Sequence, residues 1–151
     1  MKLVLKAFGE LSTEDLYNIL AIRSEVFVVE QDCVYQDLDG KDASCHHLYY
    51  TADHAEIAAY ARLIPPGVSY ASASIGRILV AQKFRQQKLG RNLVAAAIKE
   101  CHTLWPMHDI TIGAQSYLKD FYCSFGFEQV DEEYLEDGIP HIQMQLNRTA
   151  I

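Results

Sequence analysis

The stretch from Gly76 to Glu100, GRILVAQKFRQQKLGRNLVAAAIKE, decides the fold. It opens as an aliphatic run of strand length and crosses a polar knot, RQQKLG. Leu89, Leu93, Ala97, Cys101 and Leu104 then recur at helical spacing until Pro106 stops the pattern. A loop turning from a strand into a helix leaves the first backbone N–H groups without intrahelical acceptors, and about half a positive charge gathers there. That end suits a phosphate. Gly90 removes a side chain where backbone would approach a ligand, and Arg85 and Lys88 bring charge to the same place. The same residues also read as an ordinary helix start with a solvated basic turn, and local physics leaves both readings open.

Working outward, KLVLKAF at the N-terminus predicts a first strand with Leu3, Leu5 and Ala7 inward. Ser12, with Asp15 three positions on, predicts a capped helix whose apolar stripe is Leu16, Ile19, Leu20 and Phe27. Glu30 to Ser44 is acidic and turn-rich and reads as a long surface loop, a kind of segment that often carries function. HHLYYTADHAEIAAYARLIPP predicts two strands joined near Asp53 and His54. ASIGRILVA and DITIGA supply two more. Leu118, Phe121, Tyr122 and Phe125 mark one face of a short helix closed by Gly126, and FEQV with HIQMQL predicts a final hairpin. Helices set between strands of a mixed sheet imply an α+β layered fold, read as one domain over residues 1–151.

The chain is 50% hydrophobic and 22% charged, which fits a globular protein and argues against extensive disorder. No apolar run approaches the roughly 20 residues of a membrane span, and the N-terminus lacks the apolar region of a signal peptide, so a cytoplasmic location is expected. The four cysteines form no CxxC pair and read as reduced structural thiols; Cys45, His46 and His47 lack a second cluster at zinc-ligand spacing, so no metal is expected. A formal charge of −7 disfavours nucleic acid and suits a cationic substrate, although solubility alone also accounts for it.

Order of elements and motifs together resemble the GNAT superfamily of acyl-CoA-dependent N-acetyltransferases, over most of the chain. In that family the phosphate loop reads Gln or Arg, two variable residues, Gly, one variable residue, then Gly or Ala. Arg85 and Gly90 match, and Lys88 stands at the first glycine. AQSYLKDFYCSFGFEQV resembles the family's second cofactor segment, its FY-x-x-x-GF pattern carried by Phe121, Tyr122, Gly126 and Phe127. RSEVFVVEQ, DLDGKD, HHL, ARL, IGRILV, RQQKLG and EDGIPHIQM resemble the ElaA-like acetyltransferases, in which lysine within RQQKLG is a familiar variant. The segment from Arg23 through Phe27 to the acidic loop is also similar to acyl-homoserine-lactone synthases, a kinship only.

The resemblance implies a mostly antiparallel central sheet with a splayed strand pair and flanking helices, and acetyl-CoA as cosubstrate. Its pantetheine arm would pair with Ile78, Leu79 and Val80, and a strand amide near Leu79 or Val80 would polarise the thioester carbonyl. The pyrophosphate would rest on the loop from Arg85 through Gln86, Gln87, Lys88, Leu89 and Gly90 to Arg91. Tyr122 matches the family's general acid, although packing with a satisfied hydroxyl is the plainer reading of an aromatic on an apolar helix face. A phenol near ~10 facing a thiol near ~8.5 gives up its proton at a cost of about 2 kcal/mol. The acceptor, an amine-bearing small molecule or peptide, poses the larger problem: an ammonium of pKa ~10.4 is neutral in about one molecule in 2,500 at pH 7, costing nearly 5 kcal/mol. Candidates for the base are Glu25, Glu30, His47 and His141, none singled out by spacing. Glu136, Asp137 and the loop around Asp37 and Asp39 are candidates for holding the substrate's positive charge, against the reading of a solvated acidic face. A noncatalytic acyl-CoA-binding or regulatory module is the alternative function, and a homodimer is compatible with either.

Overall fold

The computed structural model describes residues 1–148. Its strands are β1 (Lys2–Ala7), β2 (His46–Thr51), β3 (Ile57–Ile64), β4 (Ala73–Val80), β5 (Ile110–Gln115), β6 (Glu128–Gln129), β7 (Tyr134–Glu136) and β8 (Ile139–Leu146). They join in one sheet of order β1-β2-β3-β4-β5-β8-β6, with β7 also on β8. Every pairing is antiparallel except β4 with β5. Helix α1 (Thr13–Ser24) lies on one face, and α2 (Leu89–Leu104) and α3 (Lys119–Cys123) pack on the other. All eight residues of β3 are buried, as a strand covered on both faces requires.

Local signals act as the sequence predicts at several points. The Ser12 hydroxyl accepts the Asp15 amide at 2.9 Å, and the Asp15 carboxylate accepts the Ser12 amide at 3.1 Å, so α1 begins at a reciprocal cap. The spacing of Leu89, Leu93, Ala97 and Cys101 buries one face of α2 against the sheet. Gly126 takes φ +102° after α3, a conformation that favours glycine.

Three expectations are corrected. In β1 both faces are used: Val4 packs with α1, Leu5 with the α2 side, and Leu3 is 40% exposed. The first helix does not run on to Phe27 in α-form, because Glu25–Glu30 winds as a π-helix. Between β6 and β8 stands the three-residue strand β7, so the expected hairpin is a three-strand edge.

The acidic loop is also not a solvated surface. Asp37 and Asp42 are buried, and they and Asp39 are gripped by three arginines from three elements. Arg23 of α1 donates to Asp37 at 3.0 Å and to Asp42 at 2.7 Å. Arg62 of β3 donates to both oxygens of Asp39, at 2.9 and 2.7 Å, and to Asp42 at 3.0 Å. Arg77 of β4 donates to Asp37 at 2.8 Å. Burial by itself raises the Asp39 and Asp42 carboxyls, but the arginine hydrogen bonds and charges outweigh it and hold both below the usual carboxylate range. Asp37 and Asp39 are therefore occupied by the chain's own cations, and a substrate cation meets no free carboxylate there.

Arg77 also marks where the sheet opens. Leu79 opposes Tyr60 and Gly76 opposes Arg62, so Arg77 and Ile78 face the single Ala61, and Arg77 bulges with φ 51°. β5 follows β4 only at Ala73 with Ile110 and Ser74 with Thr111. From Ile75 onward the two parallel strands part.

Candidate functional site

The parting of β4 and β5 forms a cleft of about 870 Å³. Ile78, Leu79 and Val80 line one wall, with Gly90 and Arg85 at one end. Tyr122 reaches the cleft from α3, the end of β7 contributes Glu136, and the turn joining β7 to β8 contributes Asp137. Because β4 has lost its partner on this side, the cleft-facing amides and carbonyls beyond the bulge have no sheet neighbour. An extended amide-bearing arm would complete the pairing.

The polar knot becomes a concave turn. Gln86 and Lys88 both adopt left-handed backbone, at φ 68° and 58°. Left-handed residues set among right-handed ones turn successive N–H groups inward, which makes an anion-binding nest. The first α2 amides, Leu89 to Arg91, precede the first intrahelical bond, from the Asn92 amide to the Lys88 carbonyl at 3.2 Å. Lys88 occupies the position where the family resemblance places glycine, and it stands in a left-handed conformation that favours glycine, so the lysine bears a steric cost. A Cβ built on Gly90 would meet only Val80 Cγ2 at 3.5 Å, so the space beside this glycine is open toward the cleft. Open β4 edge, nest and glycine gap all fit a pantetheine arm ending in a pyrophosphate.

The basic side chains divide differently from the expectation. Arg85 donates to the Val80 carbonyl at 3.0 Å and to Glu30 at 2.6 Å, so it ties the loop to β4 and to the π-helical turn. Arg91 lies over Phe121 and Phe125, with its guanidinium 5.5 and 4.9 Å from the ring centroids, and joins α2 to α3. Lys88 extends into solvent. The nest is thus chiefly backbone.

Tyr122 is 5% exposed, its ring edge-on to Phe121 and Phe127. Its hydroxyl has no hydrogen-bond partner among the described residues, so the plain reading of a core tyrosine with a satisfied hydroxyl does not hold. Burial, with a smaller contribution from Tyr117, pushes the phenol up to about 12. It is fully protonated at neutral pH, and its proton lies about 5 kcal/mol uphill of an ordinary thiolate rather than about 2. A sulfur desolvated beside the phenol would be raised in the same way, which narrows that gap.

The base candidates separate. Glu25 lies outside the cleft lining. Glu30 lines it but is paired with Arg85. His47 is fully buried away from the cleft with both nitrogens engaged: Nε2 donates to the Asp42 carbonyl at 3.0 Å and Nδ1 accepts from Tyr60 at 2.7 Å. Burial holds its pKa down, so it stays neutral and structural. His141, Glu136 and Asp137 do line the cleft. Sequence reasoning missed Tyr70 and Tyr134, whose hydroxyls converge on Gly113 of β5, 3.5 and 2.8 Å from where a Cβ would sit. Nothing in the sequence pattern sets these two tyrosines apart from the other seven. Among the described residues no group of three or more His, Cys, Asp or Glu is placed to hold a metal ion, and no helix is long and apolar enough to cross a membrane.

Comparison with known proteins gives a consistent result. A family model for the acetyltransferase (GNAT) domain matches residues 10–148. Protein ElaA of Escherichia coli is 44% identical over 139 residues, covering 90% of each chain. A crystal structure of an acyl-CoA N-acyltransferase from Pseudomonas aeruginosa superposes with TM-score 0.93 at 38% identity, covering 97% of this chain and 99% of that one. The crystal structure of E. coli ElaA superposes with TM-score 0.90 at 38% identity and the same coverage.

Proposed function

The chain belongs to the GNAT acetyltransferase family, as a close relative of ElaA, and from that premise we propose that it moves the acetyl group of acetyl-CoA to a primary amine on a small molecule or peptide. We read residues 1–151 as one domain carrying the whole reaction. Backbone amides from Gln86 to Arg91 hold the pyrophosphate, and the open edge of β4 at Ile78 to Val80 aligns the pantetheine. A β4 amide beside Leu79 or Val80 donates to the thioester oxygen as negative charge grows there. Tyr122 gives its proton to the departing sulfur. On the acceptor side, Glu136 and Asp137 are the cleft carboxylates with no arginine or lysine pair, unlike Glu30 and Asp39, and they attract the ammonium.

The observation that carries this reading is Tyr122: its ring is buried against Phe121 and Phe127 while its hydroxyl, with no protein hydrogen-bond partner among the described residues, opens into the cleft where a departing sulfur would meet it. The test is calorimetric titration with acetyl-CoA followed by CoA release against a panel of primary amines. Binding with turnover of at least one amine is expected. Tight binding without turnover of any amine would make the chain an acyl-CoA-binding module instead, and absence of binding would remove the proposal altogether.

A further inference from the structure

We infer that His141 is the base that deprotonates the acceptor ammonium, with Glu136 positioned to stabilise the imidazolium; this rests on the acetyl-transfer reading above. On β8, Ile142, Met144 and Leu146 point into the core shared with α2, so His141 points to the opposite face of the sheet. On β5 the partners of Ile142 and His141 are Ala114, in that core, and Gln115, on the opposite face. Tyr122 belongs to the α2 and α3 side. His141 and Tyr122 therefore approach the cleft from opposite faces of the sheet, and both line it. An acid on the sulfur's side and a base on the amine's side is the arrangement that direct attack on a thioester needs.

The hydrogen bonds fix the tautomer. Nδ1 of His141 lies 2.7 Å from the Ile139 carbonyl, which can only accept, so Nδ1 carries the hydrogen. In the neutral ring Nε2 is then a bare lone pair. Glu136 Oε2 stands 3.5 Å from that nitrogen. In that form two acceptors face each other, and the pair has room for one proton. Taking a proton on Nε2 turns the contact into a charge-assisted hydrogen bond. His47 shows the opposite arrangement: its hydrogen sits on Nε2 and its Nδ1 lone pair is already filled by Tyr60, so neither nitrogen can serve. The ring of Tyr134 stacks on His141 at 5.9 Å and 30°, holding the imidazole plane in place. Charged and titratable groups around the imidazole are Glu136 and Tyr134 from β7, Asp137 in the turn and Tyr70 from the β3–β4 connection, while β5 presents the neutral Gln115.

His141 Nε2 takes one proton from R–NH3+, leaving R–NH2, and passes it through Glu136 to solvent. The amine nitrogen forms its bond to the acetyl carbon, and the carbon–sulfur bond breaks. Tyr122 protonates the sulfur and is restored by the proton that the new amide nitrogen sheds. The sum is amide, CoA thiol and one proton released.

Long-range 1H–15N NMR of the protein labelled with 15N-histidine tests the tautomer without any substrate, the signal being assigned by its loss in His141→Asn. The hydrogen is expected on Nδ1; finding it on Nε2 would overturn the inference. The kinetic test uses butylamine, 1,4-diaminobutane and phenethylamine with wild type, His141→Asn and His141→Ala, acetyl-CoA affinity being measured on each. Asn keeps a donor for the Ile139 carbonyl and so guards against a merely structural loss. For the amine turned over fastest, kcat/KM at neutral pH is expected to fall at least 100-fold in both variants with acetyl-CoA affinity within twofold, the ascending limb of the pH profile to move up to the amine's own ionisation, and added imidazole to restore His141→Ala. Variants with undiminished turnover or an unchanged pH profile would overturn the assignment. If wild type binds acetyl-CoA and turns over no amine, the acetyl-transfer reading has failed and the base goes with it.

Discussion

Replacing Gly90 by alanine separates a binding role from a folding role, because the two respond with opposite sign. In the free protein the added Cβ meets only Val80 Cγ2 at 3.5 Å, an ordinary contact, and Gly90 sits in the first turn of α2 with negative φ. Alanine there is expected to stabilise the fold by about 0.5 kcal/mol, the low end of the glycine-to-alanine difference, since the position is near the helix end. For a chain of this length that is a rise of roughly 1–2 °C in Tm. The same methyl group occupies the gap between the nest and the end of β4, where the phosphates are proposed to lie. Holding the anion away from one backbone donor costs about 1.5–3 kcal/mol, a charge-assisted hydrogen bond, which raises the Kd about 10- to 150-fold. Scanning calorimetry and acetyl-CoA titration on the same sample measure both. A variant at least as stable as wild type whose Kd for acetyl-CoA is unchanged would show that the cradle lies elsewhere.

Three other outcomes follow from the same geometry. Lys88→Gly removes the left-handed cost of a Cβ-bearing residue and is expected to raise stability by about 1 kcal/mol in urea denaturation. Arg23→Ala strands Asp37 and Asp42 in a buried site and is expected to cost about 3–5 kcal/mol, read as a large fall in the urea midpoint. The folded carboxyls of Asp39 and Asp42 are depressed below their unfolded values, so the stability they contribute is fully present above about pH 5 and is lost as pH falls through the unfolded value toward their folded values; urea midpoints measured from pH 7 to 3 are expected to hold steady to about pH 5 and then drop.

What could be read from the chain was local. The Ser12 and Asp15 cap, the spacing of Leu89, Leu93, Ala97 and Cys101, and the passage from β4 through RQQKLG into α2 each need only residues a few positions apart, and the structure repeats them. The acidic loop misled for the complementary reason. Asp37 finds Arg23 at 14 residues' separation and Arg77 at 40, so its neutralisation is a tertiary fact, invisible to composition. The histidine candidates were equal in sequence because a strand pattern gives alternation but not which face meets a cleft. The core shared with α2 fixes that face for His141, and the Tyr60 hydroxyl closes His47. The π-helical turn at Glu25–Glu30 and the three-residue β7, exposed along its length, carry no periodicity long enough to register.

The most direct measurement of Tyr122's role is single-turnover acetyl transfer by Tyr122→Phe beside its affinity for acetyl-CoA. The substitution keeps the ring contacts with Phe121 and Phe127 and removes only a hydroxyl that has no partner among the described residues. Loss of a general acid is expected to slow the chemical step by about 10²-fold or more, with the Kd for acetyl-CoA within twofold. An unchanged single-turnover rate would contradict the central claim.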